Sequence, residues 1–316
     1  MRLDVVTFGE AMGMFIAEDA GELHKVSRFT LALAGAETNV AVGLSRLGFN
    51  VGWVSRVGDD AFGRYILESL QAEGVDTSRV RVDPRKPTGF QLKSKALSGD
   101  PEVQYFRKGS AASCMQAGEI EESYFAGARH LHMTGIPPAL SEDMRGFAER
   151  ALSLMKAANR TVSFDPNLRP SLWDSREDMI SVVNGLAVQA DVVLPGIGEG
   201  HALTGYREPR DIAAFYLERG VKLVVVKLGA DGAYYRTAGE EGFVPGVPVE
   251  NVVDTVGAGD GFAVGVISGL LDGMPLQETV RRANAIGALA VMSPGDQDGL
   301  PTRAQLETFI FEHGVI

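Results

Sequence analysis

The stretch that most constrains this chain is Asp254-Thr255-Val256-Gly257-Ala258-Gly259-Asp260, which runs directly into the apolar segment Gly261-Phe262-Ala263-Val264-Gly265-Val266-Ile267-Ser268-Gly269-Leu270. Gly257 and Gly259 admit backbone angles closed to other residues, so consecutive amide N–H groups can turn inward around an anion. Phe262, Val266 and Leu270, spaced by four, mark the following segment as a buried helix whose N-terminus faces that concavity. A phosphate suits such a place. The carboxylate of Asp260 would repel it unless it has chemistry of its own, and removing the proton of an incoming hydroxyl is such chemistry. Read for structure alone, Asp254 and Thr255 are ordinary capping residues and Gly-Ala-Gly a tight connection.

With 316 residues, 45% of them hydrophobic and 22% charged, the chain can fill the core of one large α/β domain with an appendage, or of two domains. Its net charge of −11, with no basic stripe to reverse it locally, argues against nucleic acid as a partner. Cys114 is the only cysteine, which excludes an intrachain disulfide and makes the cytoplasm the expected compartment. Met1 to Gly9 lacks the apolar region of a signal peptide, and no stretch is long enough to span a bilayer, so no membrane is expected.

Val5 to Gly9 reads as the first buried strand of a parallel sheet, with Glu10 at its carboxyl end, where such sheets bind ligands. Met14 to Ala17 and Phe29 to Leu33 are β-like and form an excursion from that sheet. Ala34-Gly35-Ala36-Glu37-Thr38-Asn39-Val40 opens a helix bearing Val40, Leu44 and Leu47 on one face; Gly35 admits a ligand close to the backbone, and Asn39 either meets hydroxyls or caps. Strand pattern at Val51 to Val57 is followed by helix from Ala61 to Glu73. Thr88 to Lys95 and Glu102 to Arg107 read as a hairpin turned at Ser98-Gly99-Asp100-Pro101. Alternation puts Gln91, Lys93 and Lys95 on one face of the first strand and Val103, Tyr105 and Arg107 on one face of the second. From Ala128 onward β and α alternate: strands at Arg129 to Met133, Thr161 to Phe164, Asp191 to Leu194 and Val221 to Lys227, then helices at Leu276 to Met292 and Arg303 to Phe311. Handedness and layering rules make this a mostly parallel sheet covered on both faces.

The Asp254–Asp260 segment resembles the second signature of the ribokinase-like (PfkB) carbohydrate kinases, and Gly35, Asn39, Gly48 and Gly58 stand where the first signature of that family has matching residues. The resemblance covers essentially the whole chain. It implies a single ribokinase-like domain over residues 1–316, a three-layer α/β/α sandwich with a mostly parallel central sheet. A small β-sheet lid would be formed by about 12–33 and 86–110. It implies an ATP-dependent phosphotransferase using Mg2+, with Asp260 as general base and Gly257, Ala258 and Gly259 as anion hole. An open lid edge pairs readily with another copy, so a homo-oligomer through the lid is expected.

Neutral sugars have no need of paired cations, whereas a guanidinium fork satisfies a carboxylate. Tyr105-Phe106-Arg107-Lys108-Gly109-Ser110-Ala111 and Asp165-Pro166-Asn167-Leu168-Arg169 supply two arginines, and this set is similar to that of the kinases of 2-keto-3-deoxy sugar acids within the family. By matched motif the resemblance sets Gly35, Asn39, Gln91, Tyr105, Phe106, Arg107, Arg169, Asp260 and Asp296 around the acceptor. It assigns the nucleotide Asn167, Leu168, Arg169, Lys227, Leu228, Gly229, Ala230, Asp231, Gly232 and Asn284, together with Gly257 to Gly259. Glu199 stands where those kinases carry an Asn-x-x-Glu motif that organises magnesium, an indirect role the resemblance implies although the Asn position is Gly196 here; read for structure alone it is a carboxylate at a helix N-terminus. Gln91 likewise stands where those kinases have an aromatic hydroxyl. A fructokinase or ribokinase of the same fold and a regulator that has lost catalysis are the alternatives. A nicotinamide dehydrogenase is disfavoured because no Gly-x-Gly-x-x-Gly follows the first strand.

Overall fold

The computed structural model of the chain describes residues 2–95, 101–249 and 252–314. In order its elements are β1 (Val5–Phe8), β2 (Met12–Ala17), β3 (Phe29–Ala34), α1 (Ala36–Arg46), β4 (Val51–Gly58), α2 (Ala61–Ala72), β5 (Val80–Asp83), β6 (Phe90–Lys93) and β7 (Val103–Phe106). There follow α3 (Glu122–Gly127), β8 (His130–Thr134), α4 (Pro137–Leu140), α5 (Glu142–Ala157), β9 (Thr161–Asp165), α6 (Arg176–Ala187), β10 (Val192–Val193), α7 (Ile197–Thr204) and α8 (Pro209–Leu217). The chain ends with β11 (Leu223–Lys227), β12 (Gly232–Arg236), β13 (Glu241–Pro245), α9 (Ala258–Leu271), α10 (Leu276–Ala290) and α11 (Arg303–Glu312).

Among the described residues, nine strands form one sheet in the order β13-β12-β11-β10-β9-β8-β1-β4-β5. The strands from β5 across to β11 run parallel, and β12 and β13 add an antiparallel edge. Val5, Val51, Trp53, Val192 and Val225 face a core layer shared with α1, α9 and α10, while Val6, Phe8, Leu131, Phe164, Val193 and Val224 face another shared with α5, α6 and α8. Burial on both faces is why these strands read as unbroken apolar runs rather than as alternation. Edge strand β5 is only partly buried, so it carries no such run and the sequence pattern passes it by.

Register aligns the strand ends. Val5 lies opposite Val51 and His130, His130 opposite Thr161, Ser163 opposite Val192, and Val192 opposite Leu223. Glu10, Thr134, Asp165 and Lys227 therefore collect at one carboxyl edge. Helix α9 enters that edge with its N-terminus, and it can lie deep in the core because Gly265 and Gly269 face α10. A Cβ at Gly269 would meet Thr279 Oγ1 at 2.7 Å, and one at Gly265 would strike the backbone of Ala283.

A second, four-stranded sheet in the order β3-β2-β6-β7 covers the same edge. Gln91 pairs with Met14 and Tyr105, and Phe90 with Gly13 and Phe106. The turn predicted at Ser98-Gly99-Asp100 lies outside the described residues. Among the described residues, no helix is long and apolar enough to cross a membrane.

Candidate active site

Between the two sheets lies a cavity of about 630 Å³. Its wall is Asp260 and its neighbours. Gly257 caps α9 in the left-handed region at φ 85°, and a Cβ there would meet the carbonyl oxygen of Asp296 at 2.8 Å, so only glycine makes this turn. Gly257 and Gly259 both line the cavity, with Ala258 between them as the first residue of α9.

The carboxylate of Asp260 also faces the cavity and is 8% exposed. Asn39 Nδ2 donates to its Oδ2 at 2.8 Å and Asn167 Nδ2 to its Oδ1 at 3.2 Å. Burial raises its pKa from 3.8 to about 7, the charges of Asp165 and Asp296 add to the rise, and the Asn39 amide opposes it. Both hydrogen-bond partners are neutral and none is a cation. Such a group gives and takes a proton near neutral pH, which is what a general base requires.

Two loops complete that wall. Asp165, at the end of β9, holds Lys227 Nζ of β11 at 2.6 Å, and Lys227 lies close enough to Gly259 that a Cβ there would be 3.5 Å from Nζ. Burial alone would lower the Lys227 pKa, but the Asp165 and Glu199 carboxylates raise it, and it stays charged beside the turn. Asn167 takes φ 39°, a region that asparagine tolerates, with its N–H on Asp165 Oδ1 at 3.2 Å. Glu199 accepts from the N–H of Leu168 and of Gly196, both at 2.8 Å. It therefore ties the 165–169 loop to the start of α7. Gly196 supplies by its backbone what the side chain at that position does not.

On the lid side, Met12, Gln91, Lys93, Val103 and Tyr105 face inward, with Gly35, Glu37, Arg107 and Asp296 beside them. Alternation along β6 and β7 produces this, as the sequence predicts. It also corrects one expectation: Phe106 points to the opposite face, where it is 48% exposed and stacks on Phe90 with centroids 4.6 Å apart. Arg107 lines the cavity with an ion-pair partner that the sequence does not announce. Its Nε and Nη2 both donate to Glu10 Oε2 at 2.6 Å, so its charge is already matched within the protein, while Glu10 Oε1 is buried without a partner. Arg169 differs, donating to the carbonyls of Asn167 at 3.4 Å and Leu168 at 2.9 Å. Among the described cations lining the cavity, it alone is in no ion pair with a carboxylate.

Of the nucleotide set, Asn167, Arg169, Lys227, Gly257 and Gly259 line the cavity; Leu168 contributes the N–H that Glu199 holds. Leu228, Gly229, Ala230 and Asp231 form the turn between β11 and β12 and Gly232 opens β12, all outside the lining. Asn284 is buried on α10, and its Nδ2 donates to the carbonyls of Val244 and Pro245.

The family model of pfkB carbohydrate kinases matches residues 2–303. The chain belongs to the pfkB family of carbohydrate kinases. It is a ribokinase-like phosphotransferase that acts on an alcohol group. This pfkB kinase is 55% identical over 311 residues to the 2-dehydro-3-deoxygluconokinase of Bacillus subtilis, covering 98% of its own chain and 96% of that protein. The crystal structure of a PfkB protein from Polaromonas sp. JS666 superposes with a TM-score of 0.90 at 52% identity, over 96% of this chain and 99% of that one. A ribokinase II structure from E. coli in complex with ATP and Mg2+ gives a TM-score of 0.90 at 31% identity, over 98% and 100% of the two chains.

Four charged lining residues of this pfkB kinase, Glu10, Glu37, Lys93 and Asp165, are not singled out by the sequence as site residues. Alternation puts Lys93 on the face of Gln91, Glu10 ends the first strand and Asp165 opens the loop that carries Asn167 and Arg169, but nothing local in the sequence assigns any of the three a role. Glu37 reads as a first-turn acid. In the fold it is 1% exposed with Thr134 Oγ1 donating at 2.5 Å, and burial pushes its pKa to about 7.

Proposed function

We propose that this kinase phosphorylates the primary hydroxyl of 2-keto-3-deoxygluconate with ATP, giving the 6-phosphate. One observation carries the chemistry: the Asp260 carboxylate faces the cavity at the head of α9 and is held by two neutral amides. Free of any ion pair, it takes the hydroxyl proton as the oxygen attacks. The amides of Gly257, Ala258 and Gly259, with the helix N-terminus behind them and Lys227 alongside, offset the charge that grows on the transferring phosphoryl oxygens. The resemblance to 2-dehydro-3-deoxygluconokinase supports the substrate, and Arg169 supports the carboxylate. Its fork has no acid of its own to satisfy, so a substrate carboxylate is its natural partner. Arg107 then serves with Glu10 as an ion pair against the sugar, and Gln91 and Asn39 meet hydroxyls.

Magnesium fits this donor set. The carboxylates of Asp165 and Glu199 line the cavity near Lys227 and the anion turn, and among the described residues no cluster of three acid, histidine or cysteine ligands is assembled. That suits an ion held mainly by phosphate oxygens and water, which would neutralise the polyphosphate when bound. Glu199 acts on it indirectly through the 165–169 loop. The turn from Leu228 to Gly232 and Asn284, which fixes the end of β13, border the nucleoside. Phe106, stacked on Phe90 with Phe15 and Phe29 on the same lid face and Phe62 of α2 packed against them, presents an aromatic outer surface that a second copy of the chain covers.

The test is coupled ADP release across 2-keto-3-deoxygluconate, its galactonate epimer, fructose and ribose. The sugar acid should be preferred, and Arg169→Met should lower kcat/KM for it by about 10- to 100-fold, the worth of a charge-assisted contact, with little change for fructose. Preferred turnover of fructose, equally affected by the substitution, would overturn the carboxylate reading in favour of a neutral-sugar kinase.

A further inference from the structure

Lys93 is the most deeply buried cation at the cavity. Its side chain is 2% exposed, and its Nζ lies 2.5 Å from Asp254 Oδ2 and 3.1 Å from Asp296 Oδ1. Both acids belong to segments that shape the anion turn. Asp254 opens it, with its own N–H on the Val291 carbonyl at 3.2 Å and its Oδ1 accepting from Val256 N–H at 3.0 Å. Asp296 presses its backbone against Gly257, at the point where a Cβ would not fit. Lys93 itself belongs to β6, two residues from Gln91 in the wall facing the acceptor.

Two carboxylates side by side in a buried place repel each other, and here they also lie behind a turn that has to attract phosphate. A single ammonium offsets that repulsion and satisfies both oxygens. Burial alone would lower its pKa, yet the carboxylates of Asp296 and Asp254 raise it, so it remains a cation.

We propose that Lys93 is a positioning residue whose buried ammonium clamps Asp254 to Asp296, fixing the anion turn and joining it to lid strand β6. Acceptor contact on the lid is thereby transmitted to the place where the phosphoryl group is transferred. Although Lys93 lines the cavity, its ammonium is engaged by these two acids and acts through them. Its removal therefore acts on the geometry of transfer more than on capture of the sugar. This inference rests on the reading of Gly257 to Asp260 as the transfer site.

Lys93→Met, assayed with saturating ATP, is expected to lose about 100-fold in kcat, the scale of a one-ångström misplacement of reacting groups, while the KM for the sugar acid changes little. Lys93→Ala should regain turnover in methylammonium chloride and not in tetramethylammonium chloride of equal ionic strength, since only the smaller ion can donate hydrogen bonds to both carboxylates. Unchanged kcat in Lys93→Met overturns the proposal, as does a Lys93→Ala enzyme equally active in both salts. Should Lys93→Met be recovered only unfolded, Lys93→Ala purified in methylammonium chloride decides alone. Asp260→Asn separates this proposal from the reading beneath it. If that variant keeps its turnover, the transfer-site reading fails; if it loses turnover and Lys93→Met does not, only the clamp fails.

Discussion

The two sheets of this kinase are built from similar short strands and put to opposite uses. In the large sheet both faces lie under helices, so polar side chains gather at the carboxyl ends of strands, where Thr134, Asp165 and Lys227 stand. Of the buried polar residues within its strands, His130, His132 and Ser163 meet one another, with Ser163 Oγ 2.7 Å from His130 Nε2 and 2.9 Å from His132 Nδ1, while Thr7 Oγ1 is buried without a partner. In the lid one face looks into the cavity with Gln91, Lys93 and Tyr105, while the other holds Phe15, Phe90 and Phe106. Chemistry in the large sheet is thus set by position along a strand. In the lid it is set by parity, and a shift of one residue moves a side chain from the site to the outside.

The sharpest way to break this contrast is Asp260→Asn, at the end of the large sheet. It should cost about 10²- to 10⁴-fold in turnover, the usual worth of a general base. Because burial raises the pKa of Asp260 to about 7 and the base works ionised, kcat/KM should climb through that pH in the wild type and lose this limb in the variant. If the limb persists in Asp260→Asn and moves in Glu37→Gln, the titrating group is Glu37, whose pKa burial also raises to about 7. The stability consequence has a definite sign. A carboxyl whose folded pKa lies above its unfolded value stabilises the fold at low pH, and that contribution is lost as pH rises from 3.8 to about 7. Asp260→Asn should therefore gain Tm relative to wild type across that window.

Next in size is the packing of the large sheet. Phe8 is fully buried, with ring centroids 5.0 Å from Phe147 and 6.4 Å from Phe125. Phe8→Ala should cost about 3–5 kcal/mol in denaturant unfolding, from lost transfer energy and the cavity left behind. A loss below about 1 kcal/mol would mean that the layer beneath β1 repacks freely, unlike the close-packed interior described above.

The parts legible in the sequence were those fixed by neighbours along the chain. The Asp254–Asp260 turn and the α9 helix follow from Gly257 and an apolar spacing, and the parallel strands from unbroken β-branched runs; Gly259, expected to share the special backbone angles of Gly257, is instead an ordinary residue of the first turn of α9. Side-chain alternation in β6 and β7 was equally local, and it correctly grouped Gln91 with Lys93 and Tyr105 with Arg107. For Phe106 the motif and the alternation disagree, and the side chain follows the alternation. What stayed hidden depends on partners far away in sequence. Glu10 and Arg107 are 97 residues apart, as are Glu37 and Thr134, and Lys93 and Asp296 are separated by 203. No pattern within one segment announces that a lysine will be buried between two acids or that an arginine is already matched.

The smallest expected effect tests the outer face of the lid. Phe106 is 48% exposed and Leu31 37% exposed, and behind them Phe15, Phe62 and Phe90 pack with centroid separations of 5.5 to 6.2 Å. Monomeric proteins seldom leave such a cluster to water, and edge strands β3 and β7 flank it with unpaired backbone groups. Phe106→Asp adds charge where burial is incomplete, so the Tm of an isolated subunit should move little, within about 0.5 kcal/mol of unfolding free energy for a surface change. In a self-associating lid the same substitution abolishes the larger species in sedimentation velocity, because a desolvated carboxylate facing its own copy is repelled. Sedimentation as a monomer by the wild type, with Phe106→Asp unchanged, would leave parity within the lid intact and remove the second copy from the account of why its outer face is aromatic.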